Sequence, residues 1–208
     1  RVTIDGFISD DRKQQEMLQQ IVETDGVKAL ILSINSPGGT TTGSEALYLS
    51  LRAVAEKKPV VAVLGTVAAS GGYIAAIGAD WIIARGNTIT GSIGVVFQWA
   101  QVRELLDELG IKFNEVKSAP LKAEPSPFTE TSPEARAVME AMVADSYDWF
   151  VGLVAERRGF GSSRARILGD GRVYTGRQAL EAELIDAIGG ENEAITWLQE
   201  QHEIDADI

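Results

Sequence analysis

From Pro59 to Ala79 the chain carries no charged side chain. The stretch is long enough to cross a bilayer as a helix, but its composition changes halfway. The first part, Val60-Val61-Ala62-Val63-Leu64, is β-branched and apolar; the second, ending in Ile74-Ala75-Ala76, is built from small residues, and four glycines interrupt the run. A buried strand followed by a buried helix explains both halves, whereas a membrane span explains neither. Ser70 stands at the junction, in Val67-Ala68-Ala69-Ser70-Gly71-Gly72-Tyr73. A hydroxyl at that point, with nothing bulkier than alanine beside it, is placed for attack rather than for packing.

The rest of the chain repeats this alternation. Val2-Thr3-Ile4 opens an edge or barrel strand ending at Gly6, and residues 11–24 form a helix with Met17, Leu18, Ile21 and Val22 on one face. Residues 29–34 make an apolar strand that enters a turn, Asn35-Ser36-Pro37-Gly38-Gly39. Thr42-Gly43-Ser44-Glu45 has capping-box spacing and starts a helix carrying Leu47, Leu51 and Val54, which Lys57-Lys58-Pro59 ends. Beyond Ser70 come a strand at residues 81–84, a glycine-punctuated strand or turn at 90–96, a helix near 99–109 and a strand at 112–116. Residues 117–131, rich in Pro, Ser and Lys, read as an ordered loop across one face. Ser132 then caps, and Pro133 opens, a long helix to about Arg158. The fold class expected is α/β: a mostly parallel sheet with helices on its faces, in one domain over residues 1–208, with a helical C-terminal extension from about residue 132.

Composition narrows the chemistry. The 208 residues, 45% of them hydrophobic, suffice for a substantial core. A net charge of −11 disfavours nucleic acid and a polybasic membrane-surface patch. There is no cysteine, so thiol catalysis and disulfides are excluded, and with a single histidine neither a metal site nor a cofactor is expected. The opening Arg1-Val2-Thr3-Ile4-Asp5-Gly6 reads as a strand rather than a signal peptide, an abrupt start expected of a fragment whose N-terminal part was removed.

Serine chemistry needs a base and donors for an oxyanion. Gly71 follows the serine at a helix start, where its N–H has no intrahelical partner. The second donor would come from Gly39 or Gly38, whose missing Cβ lets backbone approach a substrate. Taken singly, each glycine pair is more often just a tight turn; together, each after an apolar strand, they favour a site. The only histidine, His202, lies in a polar C-terminal stretch, so the base is expected to be lysine. A lysine that deprotonates serine must be held well below its free pKa, a perturbation of roughly 4 kcal/mol. Lys112, Lys117 and Lys122 are the candidates near apolar segments, and spacing does not choose among them.

Four motifs carry a resemblance: Asn35-Ser36-Pro37-Gly38-Gly39, Ala68-Ala69-Ser70-Gly71-Gly72-Tyr73, Thr90-Gly91-Ser92-Ile93-Gly94-Val95 and Gly171-Arg172-Val173-Tyr174-Thr175-Gly176. In this order, over nearly the whole chain, they resemble the signal peptide peptidase A family of serine proteases in its half-size bacterial form. The resemblance implies a ClpP/crotonase-like fold and a Ser/Lys dyad. It maps the nucleophile to Ser70, the lysine to Lys122 ahead of Ser126-Pro127-Phe128, and the serine that positions the ammonium to Ser92. The residues around Lys122, Pro120-Leu121 before it and Ala123-Glu124-Pro125 after it, depart from the family pattern. It further implies extended peptide substrates such as signal-peptide remnants, homo-oligomeric rings or domes, and tethering through a missing N-terminal anchor on the periplasmic or extracytoplasmic side of the cell membrane. The rivals weighed against it are a crotonase-type acyl-CoA enzyme, a ClpP-like Ser/His/Asp peptidase and a catalytically inactive structural subunit; capsid maturation or membrane-protein quality control remain alternative roles for the same dyad.

Overall fold

A computed structural model describes residues 1–204. The chain divides into two compact units, one formed by Arg1–Gly94 with Phe150–Ile208 and the other by Val95–Trp149. The first unit is a sheet with helices. Its strands are β1 (Val2–Ile8), β2 (Leu30–Gly39), β3 (Val60–Ala69), β4 (Trp81–Ala84), β5 (Ile89–Gly91), β6 (Val173–Thr175) and β7 (Ala187–Ile188). They run in the order β1-β2-β3-β4-β7, and every pair along that path is parallel. The far half of β3 pairs in parallel with β5, and β5 pairs antiparallel with β6. A mostly parallel α/β sheet is therefore the architecture, with β1 on its edge as expected.

Each strand of the central set is buried on both faces, which is why these segments read as unbroken apolar runs. One face, with Ile31, Val61, Val63 and Ile83, packs on Ala194 and Leu198 of helix α8 (Glu191–His202). Residues of opposite parity, Leu30, Leu32, Ile34 and Leu64, are almost wholly buried. Helices α2 (Thr41–Ala55) and α3 (Gly71–Ala76) pack on β2 and β3. Helix α1 (Arg12–Glu23) packs on α2 and spans the residues expected, with the Asp11 carboxylate accepting from the Lys13 and Gln14 N–H groups; of its apolar face, only Leu18 is fully buried.

Three expectations need correction. Residues 35–39 are not a turn but the end of β2: Gly38 and Gly39 pair with Phe7 and Ile8, and Ser36 pairs with Ala68. The register shift against β1 falls between Asn35 and Gly38, so Pro37, which cannot donate to a ladder, sits where that ladder is irregular. Helix α2 is capped two residues earlier than the capping-box spacing indicates, because Thr40 both donates its N–H to Ile8 O and accepts from Gly43 N–H, passing the chain straight from strand to helix. Residues 112–116 form no strand, since the second unit contains no other strand to complete a ladder, and Val116 is fully exposed.

The second unit holds α4 (Arg103–Glu108), shorter than expected, and the first part of α5 (Pro133–Arg158), whose predicted cap is present as Ser132 Oγ accepting from Ala135 N–H at 3.1 Å. The last turns of α5 belong to the first unit, where Phe150 and Val154 are buried. Helices α6 (Ser162–Leu168) and α7 (Gly176–Glu181) follow. Strands β6 and β7 return this C-terminal part to the sheet. No helix among the described residues is long and apolar enough to cross a membrane.

Candidate active site

Ser70 lies between the last residue of β3 and the first of α3, with φ 53° and ψ −119°. That left-handed conformation is unfavourable for any residue with a Cβ, and it persists only where surrounding bonds over-determine it. Those bonds are visible. Ser70 N–H donates to Gly91 O at 2.8 Å, and its carbonyl accepts from the N–H groups of Tyr73 and Ile74, each at 2.9 Å. The hydroxyl makes no capping bond to its own helix.

The glycines around it are required by close approach. A Cβ on Gly38, itself at φ 120°, would lie 2.9 Å from Ser70 Cβ and 3.0 Å from Gly71 N. A Cβ on Gly71 would fall on Ser44 Oγ and lie 3.1 Å from Gly39 N; one on Gly72 would lie 2.7 Å from Ser36 O. The end of β2 thus runs directly against the start of α3. Of the two candidate second donors, Gly38 N–H is already engaged by Ser36 Oγ at 3.1 Å. The backbone nitrogen of Gly39 lies 3.1 Å from the Cβ position on Gly71, so the end of β2 and the start of α3 meet at these two residues.

Ser92 is brought to the same place. It follows Gly91, the acceptor for Ser70 N–H, and has φ 51°. Its own N–H donates to Arg172 O at 2.8 Å. Tyr174, on β6, packs its ring where a Cβ on Gly91 would stand and donates its hydroxyl to Leu168 O at 3.0 Å, while burial raises its pKa. The Thr-Gly-Ser and Gly-Arg-Val-Tyr motifs are therefore two strands of one antiparallel pair. Buried Ser36, Ser44 and Thr90, the last bonding Ala68 O at 2.7 Å, complete the frame and were not singled out from sequence. All three lie inside sequence motifs recognised for other residues.

The lysines lie in the second unit. Lys117 is held between Glu115 at 2.7 Å and Glu124 at 2.5 Å. Hydrogen bonds to those two carboxylates raise its pKa, which keeps the ammonium charged and suits an anchor rather than a base. Lys112 and Lys122 are exposed. Lys122 makes no side-chain hydrogen bond or ion pair among the described residues; its backbone N–H bonds Ala119 O at 3.1 Å. The loop after it is pinned by Glu124 accepting from Ser126 N–H, by Ser126 Oγ accepting from Phe128 N–H, and by the Phe128 ring tilted against Phe113 with centroids 4.6 Å apart. His202 ends α8, its ring edge-on to Trp197 at 4.7 Å. No grouping of His, Asp and Glu fit to hold a metal occurs among the described residues.

A strained serine at a strand-to-helix junction, packed against the Gly38 backbone on a mostly parallel α/β sheet, is an arrangement compatible with serine hydrolase chemistry. Comparison with known proteins specifies it. Residues 52–205 match peptidase family S49, and residues 2–86 match the Clp protease family. A Synechocystis sp. protein named "Putative protease" is 39% identical over 95% of this chain and 72% of its own length. The "Putative signal peptide peptidase SppA" of Enterococcus faecium is 35% identical over 90% of this chain and 55% of its own, and the "Serine protease SPPA, chloroplastic" of Arabidopsis thaliana 33% identical over 91% and 28%. The chain thus spans from under a third to under three quarters of these relatives. It belongs to peptidase family S49: a serine-type peptidase with a Clp-protease-like α/β fold.

Proposed function

We propose that residues 1–208 act as one peptidase domain that hydrolyses extended peptides through a Ser70/Lys122 dyad. Neutral Lys122, oriented by Ser92, takes the proton of Ser70 as Oγ bonds the scissile carbonyl carbon. The oxyanion that forms is held by the N–H groups of Gly71 and Gly39. Lys122 returns the proton to the leaving amine as the C–N bond breaks, and then draws a proton from water that attacks the ester, regenerating the Ser70 hydroxyl. The observation that carries this reading is the strained Ser70 beside the Gly39 and Gly71 amides. Lys117, ion-paired on both sides, is a poor rival to Lys122.

The name of the Enterococcus relative supports signal-peptide remnants, or other membrane-associated polypeptides, as substrates. Substrate would bind by strand addition, with main-chain hydrogen bonds supplying affinity and pockets selectivity. The family resemblance supports a homo-oligomeric ring or dome tethered by an N-terminal anchor, working on the extracytoplasmic side of the cell membrane. Mass spectrometry after treatment with a serine-directed acylating inhibitor tests the assignment: the adduct is expected on Ser70 in the wild type and is lost or greatly slowed in Lys122→Ala. An adduct confined to another residue, or equal labelling of both proteins, would overturn the dyad.

A further inference from the structure

Helix α3 has only six residues, so whatever holds its far end also holds Ser70, about 9 Å away along one and a half turns. Its far end is tied with unusual completeness. The carbonyls of Ile77, Gly78 and Ala79 follow the helix in succession and have run out of helical partners. Arg157, from the last turn of α5, donates Nε to Ile77 O at 2.9 Å and Nη2 to Ala79 O at 3.1 Å. Arg52, from α2, donates Nη1 to Gly78 O at 2.9 Å and pairs with Asp80. Asp80 in turn closes back on the first residue of β3: its N–H bonds Val60 O at 2.8 Å and its carboxylate accepts Val60 N–H at 3.0 Å. The strand β3, the serine and α3 therefore form a closed frame, with the strained residue at one end and two guanidinium groups locking the other.

We infer that Arg157, assisted by Arg52, is a positioning residue for Ser70: by capping the end of α3 it keeps the serine in its left-handed conformation, with Oγ aligned to the Gly71 and Gly39 amides. This rests on the reading of Ser70 as nucleophile. A strained φ of this kind is unfavourable in itself and relaxes once its surroundings permit. Arginine suits the task because one planar fork spans two carbonyls, which a lysine ammonium in the same place does not.

The test measures, per folded molecule, the rate of Ser70 labelling by an alkyl fluorophosphonate and the kcat and KM for a peptide, well below each variant's Tm. Arg157→Gln is expected to lower labelling and kcat by roughly ten- to a hundredfold, the range that small misplacement of a reacting group produces, with KM little changed. Arg157→Lys, keeping one bond, should fall between it and the wild type. Arg52→Gln, which removes one carbonyl contact and the Asp80 pair, should show a smaller loss and serves if Arg157→Gln does not fold. The exposed Arg164→Gln, which loses only its Glu183 pair and its own local contacts, is expected to match the wild type. A lower Tm with wild-type labelling and kcat in Arg157→Gln and Arg157→Lys would show a purely structural role and overturn the inference alone. Failure of the wild type itself to label at Ser70 would overturn the nucleophile assignment, and the inference with it.

Discussion

Gly71→Ala separates the packing role of the first α3 residue from the oxyanion role proposed for it. Gly71 is helical, so alanine meets no conformational penalty there and the whole effect is steric. The added methyl would fall on Ser44 Oγ and stand 3.3 Å from Ser44 Cβ and 3.1 Å from Gly39 N. Ser44 is 1% exposed and its hydroxyl donates to Thr40 O at 2.8 Å, so it cannot swing aside cheaply. Overpacking of this kind costs about 1–3 kcal/mol, which for a chain of this size lowers Tm by roughly 2–12 °C. The methyl also crowds the Gly39 amide, and loss of one oxyanion donor costs about 10²–10³ in kcat. Ser44→Ala alone should cost only about 1 kcal/mol for the lost hydrogen bond. Combined with Gly71→Ala it removes the overlapping oxygen but leaves the methyl against Gly39. Thermal unfolding and titrated turnover, measured on both single variants and the double, should therefore diverge: stability largely returns in the double variant while turnover stays low. A double variant that regains activity along with stability, or a Gly71→Ala protein as active as wild type, would refute the assignment of Gly71 and Gly39 as the donors.

Lys122→Ala should abolish peptide turnover with Tm unchanged, and Lys122→Arg should do the same because guanidinium stays charged; wild-type turnover should rise toward alkaline pH, and a profile flat between about pH 6 and 9 would count against a lysine base. His202→Ala should leave hydrolysis intact, since its ring is engaged with Trp197 at the end of α8; loss of turnover would favour a Ser/His/Asp triad. The Lys117–Glu124 pair should give the loop carrying Lys122 an acid-sensitive hold. Hydrogen bonding to Lys117 lowers the Glu124 pKa, so its contribution is full above the ordinary carboxylate range and is lost as pH falls through the lowered value. Lys117 is raised, so its share is full below the ordinary lysine range and is lost only as pH climbs through that raised value. Glu124→Gln should accordingly flatten the acid limb, read as proteolysis of residues 117–131 between about pH 3 and 5; equal protection of both proteins across that range would rule the pair out.

Local chemistry decided what could be read without coordinates. The Asp11 and Ser132-Pro133 helix starts, and the strand at residues 81–84, each follow from side chains within four residues of the feature, and each lies where expected. The errors share the opposite cause. Asn35-Ser36-Pro37-Gly38-Gly39 has turn composition, yet pairing with Phe7, Ile8 and Ala68, all distant in sequence, makes it strand. Residues 112–116 have strand composition, and no partner strand. The same division runs through the site. Ser70, Gly71 and Gly39 stand out because apolar strands lead directly into them. Ser44 and Tyr174 do not, because their task is to fill the spaces that Gly71 and Gly91 leave open. A glycine in such a motif records half of a contact, and the other half can be found only where the fold brings the chain back. Seen this way, the glycines flanking Ser70 are less a flexible element than the negative image of a tightly filled frame, which is why the serine can be held at a backbone angle it would otherwise leave.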